Sequence, residues 1–215
     1  MRSRLAWIIP LVLWLLPAGV AAQARTPRTP RKVVGAEVGY SRTTLGGPDA
    51  SGLRSRQGAL TGVFLQVPLN RLLSIRPEVL FALKGGRARA TVNESGEIVP
   101  LDIELAYVEF PILLRAGTRG SRFRPLLFGG PAPAIQIGCD LQIVDPALPI
   151  RTTCDASVIA FSSFDLGLVA GGGLEMRFPR SSLSLEARYT TGMRSVLSGV
   201  DVRNRAFALV LALTF

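Results

Sequence analysis

From about residue 33 onward, apolar and polar positions alternate with a period of two, in runs broken by Gly, Pro, Asn, Asp and Ser. No stretch of useful length carries the 3.6-residue period of a helix. Alternation of this kind sends successive side chains to opposite faces of a strand. It predicts eight strands, at about 33–41, 58–69, 72–84, 103–116, 122–137, 162–178, 181–192 and 204–215. The last run, NRAFALVLALTF, is the sharpest: Phe207, Leu209, Leu211, Leu213 and Phe215 share one face, whereas Ala206, Ala208, Val210, Ala212 and Thr214 share the other. The pattern alone leaves open whether the bulky face points into a core or away from one.

The connections bear on that question. Those at 70–71 (NR), 117–121 (GTRGS) and 179–180 (PR) are short, and those at 42–57, 85–102, 138–161 and 193–203 are long. Short turns at one end and long loops at the other are the layout of an outer-membrane barrel, with turns in the periplasm and loops outside; an even strand number then puts both ends of the barrel domain on the periplasmic side. Parity in the other strands agrees. In SLSLEARYTT (181–190), Leu183, Leu185, Ala187 and Tyr189 oppose Ser182, Ser184, Glu186, Arg188 and Thr190. In SIRPEVLFALK (74–84), Ile75, Val79, Phe81 and Leu83 oppose Arg76, Glu78 and Lys84. A soluble lipocalin-type barrel inverts this arrangement, lining its cup with the bulky residues.

Charge pairing favours the membrane reading. The polar faces hold Arg76, Lys84, Arg115, Arg177 and Arg188 with Glu37, Glu78, Glu109, Glu175 and Glu186, five of each sign. Equality is a coincidence on a wet surface but a requirement inside a narrow barrel, where an unpaired buried charge is very costly. These ten residues are therefore expected to form a luminal charge network. The expected fold is all-β: an eight-stranded antiparallel up-and-down transmembrane β-barrel following an N-terminal signal peptide. Tyr40, Phe178 and Tyr189 are candidates for its interfacial aromatic girdles.

The N-terminus supplies the targeting. Arg2 and Arg4 precede an apolar run from Leu5 to Leu16, which closes in Pro17-Ala-Gly-Val-Ala-Ala22. This is the form of a secretory signal peptide cleaved after Ala22, with Ala24 the second choice; Pro10 and Pro17 interrupt the run and argue against a membrane anchor. The domains expected are thus residues 1–22 as leader, 23–32 as a Pro/Arg-rich periplasmic linker, and 33–215 as the barrel. Loss of the leader leaves 23 basic and 15 acidic residues, a net charge of +8. In an exported chain this balance does not point to nucleic acid, and the basic residues are scattered except for RTPRTPRK at 25–32. Cys139 and Cys154, an even pair in an oxidising compartment, read as one disulfide closing a loop.

No histidine occurs anywhere in the chain. A Ser/His/Asp arrangement is therefore impossible and the usual general base is missing, so no enzymatic role is expected. An all-carboxylate mechanism through Glu78, Glu109, Glu175 or Glu186 is the alternative that remains, but alternating with arginine these residues read as an interior salt-bridge network. Gly171–Gly173 fall inside a strand rather than at a strand-to-helix junction, which does not suit a phosphate cradle. No metal and no cofactor is implied.

Several stretches together resemble a known family: RPEVLFALKGG (76–86), YVEFPILLRAG (107–117), RPLLFGGPAPAIQIGC (124–139), FDLGLVAGGGLEMRF (164–178), LEARYTTGM (185–193) and the closing NRAFALVLALTF. They are similar to the PorT-like outer-membrane β-barrel family, often labelled porin-family proteins, in that family's order and over most of the chain. The resemblance implies an eight-stranded barrel in the outer membrane of Gram-negative-type bacteria, with no shared activity to transfer. The closing pattern of Phe207, Leu209, Leu211, Leu213 and Phe215 also resembles the signal by which outer-membrane assembly machinery recognises its substrates. It implies that the bulky face meets lipid.

The function expected is an integral envelope scaffold, structural or surface-binding, with a side-chain-filled lumen, since eight strands leave an interior just wide enough for side chains. A narrow porin-like channel is the alternative, and a soluble periplasmic ligand-binding barrel a third reading. The expected partners are outer-membrane lipid and lipopolysaccharide, the assembly machinery, and an extracellular ligand at the 138–161 loop, which carries Asp140, Asp145, Arg151 and Asp155.

Overall fold

The computed structural model describes residues 32–47, 54–91, 98–118, 122–143, 150–154, 163–195 and 202–215. The leader and all of the linker but Lys32 lie outside the described residues. Among the described residues ten strands form: β1 (Val33–Gly46), β2 (Arg54–Pro68), β3 (Leu73–Thr91), β4 (Ile98–Glu109), β5 (Ile112–Gly117), β6 (Phe123–Ile143), β7 (Ile150–Thr153), β8 (Phe164–Arg177), β9 (Ser182–Gly192) and β10 (Arg203–Thr214). All pairings are antiparallel, and the sheet closes on itself. β1 pairs with β10 from Gly35 opposite Thr214 up to Gly46 opposite Arg203, which seals the seam between the first and last strands.

Ten strands make eight staves. β4 and β5 both lie between β3 and β6, so they are two halves of one stave. The expected continuous strand at 103–116 is interrupted at Phe110 and Pro111. Pro111 has no N–H to give to a ladder, which breaks the regular pairing; its carbonyl still accepts from the Glu78 N–H at 2.9 Å. β7 was not expected. It is a short return strand paired only with the far end of β6, Asp140 opposite Thr153 and Ile143 opposite Ile150.

The other departures lie at the long-loop end. β1 runs on to Gly46, β3 to Thr91 and β6 to Ile143, while β2 begins already at Arg54. Much of the sequence expected as loop at 42–57, 85–102 and 138–161 is therefore sheet that continues past the apolar belt.

The faces follow the period-two reading. On β10, Val210 is fully buried while its neighbour Leu211 is 45% exposed. Val38, Val63, Leu127, Leu174 and Leu185 point outward with it. Tyr40, Phe207 and Tyr189 stand on three adjacent outward-facing strands near the long-loop end, and Phe178 stands at the short-turn end. An outward band of this composition, bounded by aromatics, is a lipid-facing surface.

The expected disulfide is present between Cys139 and Cys154, with their Cα atoms 5.4 Å apart. It sits at the base of the β6–β7 hairpin, where the Cys154 N–H donates to the Cys139 carbonyl at 3.1 Å. Asp145 and Asp155 lie outside the described residues. Closing a separation of 15 residues is worth about 3 kcal/mol by loop entropy, and here that constraint acts on the hairpin rather than on the staves. Replacing both cysteines by serine is thus expected to leave the heat-modifiable gel band of the folded barrel unchanged while speeding proteolysis within residues 140–153. Loss of the band would show that the bridge holds the barrel itself.

Candidate functional site

The inward faces build the site. Arg76 and Glu78 are two residues apart on β3 and so share a face, as do Glu186 and Arg188 on β9. In the closed ring β3 and β9 are diametrically opposed. Their charges run in complementary order and meet across the barrel. Arg76 Nη1 donates to Glu186 Oε1 at 2.9 Å, and Arg188 Nη1 donates to Glu78 Oε2 at 2.8 Å.

Four more side chains complete this layer. Glu37 of β1 accepts from Arg76 Nη2 and, at 2.8 Å, from Arg188 Nη2. Arg115 of β5 donates to Glu186 Oε1 at 2.9 Å and to Gln66 Oε1 of β2 at 2.7 Å. Ser184 Oγ donates to Glu186 Oε1 at 2.9 Å. Three arginines thus face three glutamates, all of them buried, and Arg76 and Glu186 have no exposed surface at all. Removing ions from water is expensive, and mutual attraction offsets the cost only when geometry and hydrogen bonding are both good. A neutral, multiply bonded cluster meets that condition.

Aromatic rings frame the layer. The Arg76 guanidinium lies 3.6 Å from the centroid of Phe64, and that of Arg188 lies 5.4 Å from Phe128. Each ring occupies space that a glycine on the neighbouring strand leaves free. A Cβ on Gly35 would run into the Phe64 ring and the Leu213 carbonyl, and one on Gly171 into the Phe128 ring and the Ala187 carbonyl. Here Gly171, the first of the three glycines, has a packing reason: it admits a ring over which a luminal cation sits.

Smaller clusters lie above and below. Toward the long loops, Lys84 pairs with Glu109 and stands 5.4 Å from the Tyr107 ring. Asn204 Nδ2 donates to Asp165 Oδ2 at 2.8 Å and to Tyr107 Oη at 3.4 Å. Further out, Arg56 bridges Asp102 and Glu104. Toward the short turns, Arg124 pairs with Glu175.

Nine of the ten charged residues expected in the lumen are buried there; Arg177 is not. It is exposed at the short-turn mouth, and Arg124 is the partner that Glu175 has instead. Strand parity assigned Arg177 its face correctly but not its height, and β8 ends at this residue. Sequence reasoning also missed Phe64, Phe128, Asp165 and Asn204. The signal available for the first two was a large ring on an otherwise polar face opposite a strand glycine.

In the middle layer each of the six charges is paired with another, and side chains from opposite walls meet. Among the described residues no group of His, Cys, Asp and Glu side chains is placed to hold a metal ion.

No curated protein is similar to the chain in sequence. Solved structures are similar in shape only. Neisserial surface protein A is 12% identical, with 85% of this chain and 97% of that one covered and a TM-score of 0.48. Ail, the attachment invasion locus protein of Yersinia pestis, solved with the heparin analogue sucrose octasulfate, is 12% identical over 86% and 99% of the two chains, with a TM-score of 0.41. The N-terminal β-barrel domain of Pseudomonas aeruginosa OprF is 14% identical over 83% and 97%, with a TM-score of 0.31. The family model described as outer membrane protein beta-barrel domain matches residues 21–198. The closed eight-stave barrel with its lipid-compatible outer band agrees with that match, and the chain belongs to the outer membrane protein beta-barrel domain family.

Proposed function

We propose that this protein is a non-conducting scaffold of the outer membrane, which holds its disulfide-closed hairpin and long loops at the cell surface. The observation that carries the reading is the direct pairing of Arg76 with Glu186 and of Glu78 with Arg188 across the full diameter of the barrel. Side chains from opposite walls meet there, so an ion or solute passing through would have to break several buried, charge-assisted bonds at once. The PorT-like resemblance, export through a leader cleaved after Ala22, contact with lipopolysaccharide and recognition of the Phe207–Phe215 pattern by the assembly machinery all belong to the same reading. The absence of histidine supports a binding rather than a catalytic role.

Conductance of the refolded chain in a planar bilayer tests it. The expected result is no stable ohmic step from a barrel shown to be folded by its gel mobility. Regular steps, abolished by enlarging a luminal side chain, would make the protein a narrow channel instead.

A further inference from the structure

Immediately below the sealed layer the barrel opens at its short-turn end into a cavity of about 1080 Å³. Its charge is not balanced. Lys32, Arg71, Arg124, Arg177 and Arg180 line it, with Arg115 at the floor, against one carboxylate side chain, Glu175. Arg124 is paired with Glu175, and Arg115 is engaged by Glu186 and Gln66. The other four cations have no ion-pair partner among the described residues. The layer above is neutral by itself, three arginines against three glutamates, so these cations are not needed to compensate that layer.

We infer that this mouth is a binding site for an acidic peptide segment of a periplasmic protein. Three features select that chemistry. Most of the cations are arginines, whose planar fork matches carboxylates two bonds at a time. Val33 and Leu126, on the inward parity of β1 and β6, stand among them with Leu72, so the surface suits a ligand with apolar side chains as well as charge. The volume reaches the upper end of the range for small-molecule pockets, roughly 300–1,000 Å³, which suits a segment of several residues. The chain's own linker is excluded by charge: residues 23–31 carry Arg25, Arg28 and Arg31 and no acid, and they adjoin Lys32 at the rim.

The periplasmic placing rests on the membrane orientation proposed above, but occupancy of the mouth can be read without it. Anisotropy of a fluorescein-labelled peptide of alternating Glu-Glu-Leu triplets would be followed against the refolded barrel in detergent micelles. The expected result is saturable binding that weakens as salt rises from 50 to 200 mM and drops about tenfold in the triple variant Arg71→Glu, Arg177→Glu, Arg180→Glu. The control variant Arg42→Glu, Arg205→Glu, at the outer face of the opposite end, should bind as the parent does. All three barrels must show the folded gel band. Absence of saturable binding, equal binding by the triple variant, or a matching loss in the control would overturn the inference. Tighter binding of tripolyphosphate than of the peptide would overturn it in favour of a phosphate ligand. Because conductance is not the readout, a barrel that conducts yet binds the peptide refutes only the sealed scaffold, and a silent barrel that fails to bind refutes only this site.

Discussion

Replacing Arg76 by methionine is expected to lower the unfolding free energy of the refolded barrel by about 3–5 kcal/mol, the range for removing one partner of a buried ion pair. Arg76 is wholly buried and ion-paired with Glu37, Glu78 and Glu186. Without it, three carboxylates share two arginines, Arg115 and Arg188, and the Phe64 ring loses the cation over its face. Circular dichroism through a urea titration in lipid vesicles measures the loss. The double variant Arg76→Met, Glu186→Gln restores neutrality, with two residues of each sign left, and should recover much of the deficit. The resulting coupling energy is about 0.5–3 kcal/mol for residues in direct contact. A single-variant loss below about 1 kcal/mol, in the range of exposed pairs, would mean that Arg76 is solvated and that the lumen is open.

The second large effect concerns the outer face. Leu211 lies midway along the outward row from Phe207 to Phe215, and arginine there should cost about 2–4 kcal/mol, the penalty at a bilayer midplane. Phe207→Arg, beside Arg205 at the end of the same row, should cost only about 0–1 kcal/mol. Both residues have about half their surface exposed, at 45% and 50%, so solvent accessibility alone forecasts equal effects. The same vesicle titration separates the two cases. Equal losses would argue that this face does not meet lipid.

Which parts of the molecule could be read in advance follows from what each pattern encodes. Lipid outside and side chains inside force a period of two, so the faces of β10, β9 and β3 were plain from their residues. Glu78, Glu186 and their neighbours stood out because a strand carries charge on one parity and Leu or Phe on the other when one of its faces is enclosed and the opposite one meets lipid. Height along the barrel is a different matter. It depends on the stagger between strands, which no single strand carries, and Arg177 was accordingly assigned to the interior when it stands at the rim. Beyond the belt the forcing disappears: β7 and the outer ends of β3 and β6 extend past the lipid-facing rows, so their sequence has no reason to alternate. The rings of Phe64 and Phe128 were hidden for a third reason. Their place depends on glycines directly opposite on neighbouring strands, Gly35 and Gly171, and which residues stand opposite one another is set by a register that neither strand carries alone.

The position of Glu37 bears on how the barrel can assemble. It sits on β1, the strand that completes the wall by pairing with β10, while the arginines it serves come from β3 and β9. A partly assembled sheet, with β1 and β10 still apart, has two exposed edges and an incomplete set of counter-charges, and both faults are corrected by the same event. Joining the wall and neutralising its interior are therefore one cooperative step, dependent on contacts between opposite ends of the chain. An intermediate left open in the membrane would be penalised twice, which favours an all-or-none transition over a ladder of partly inserted states.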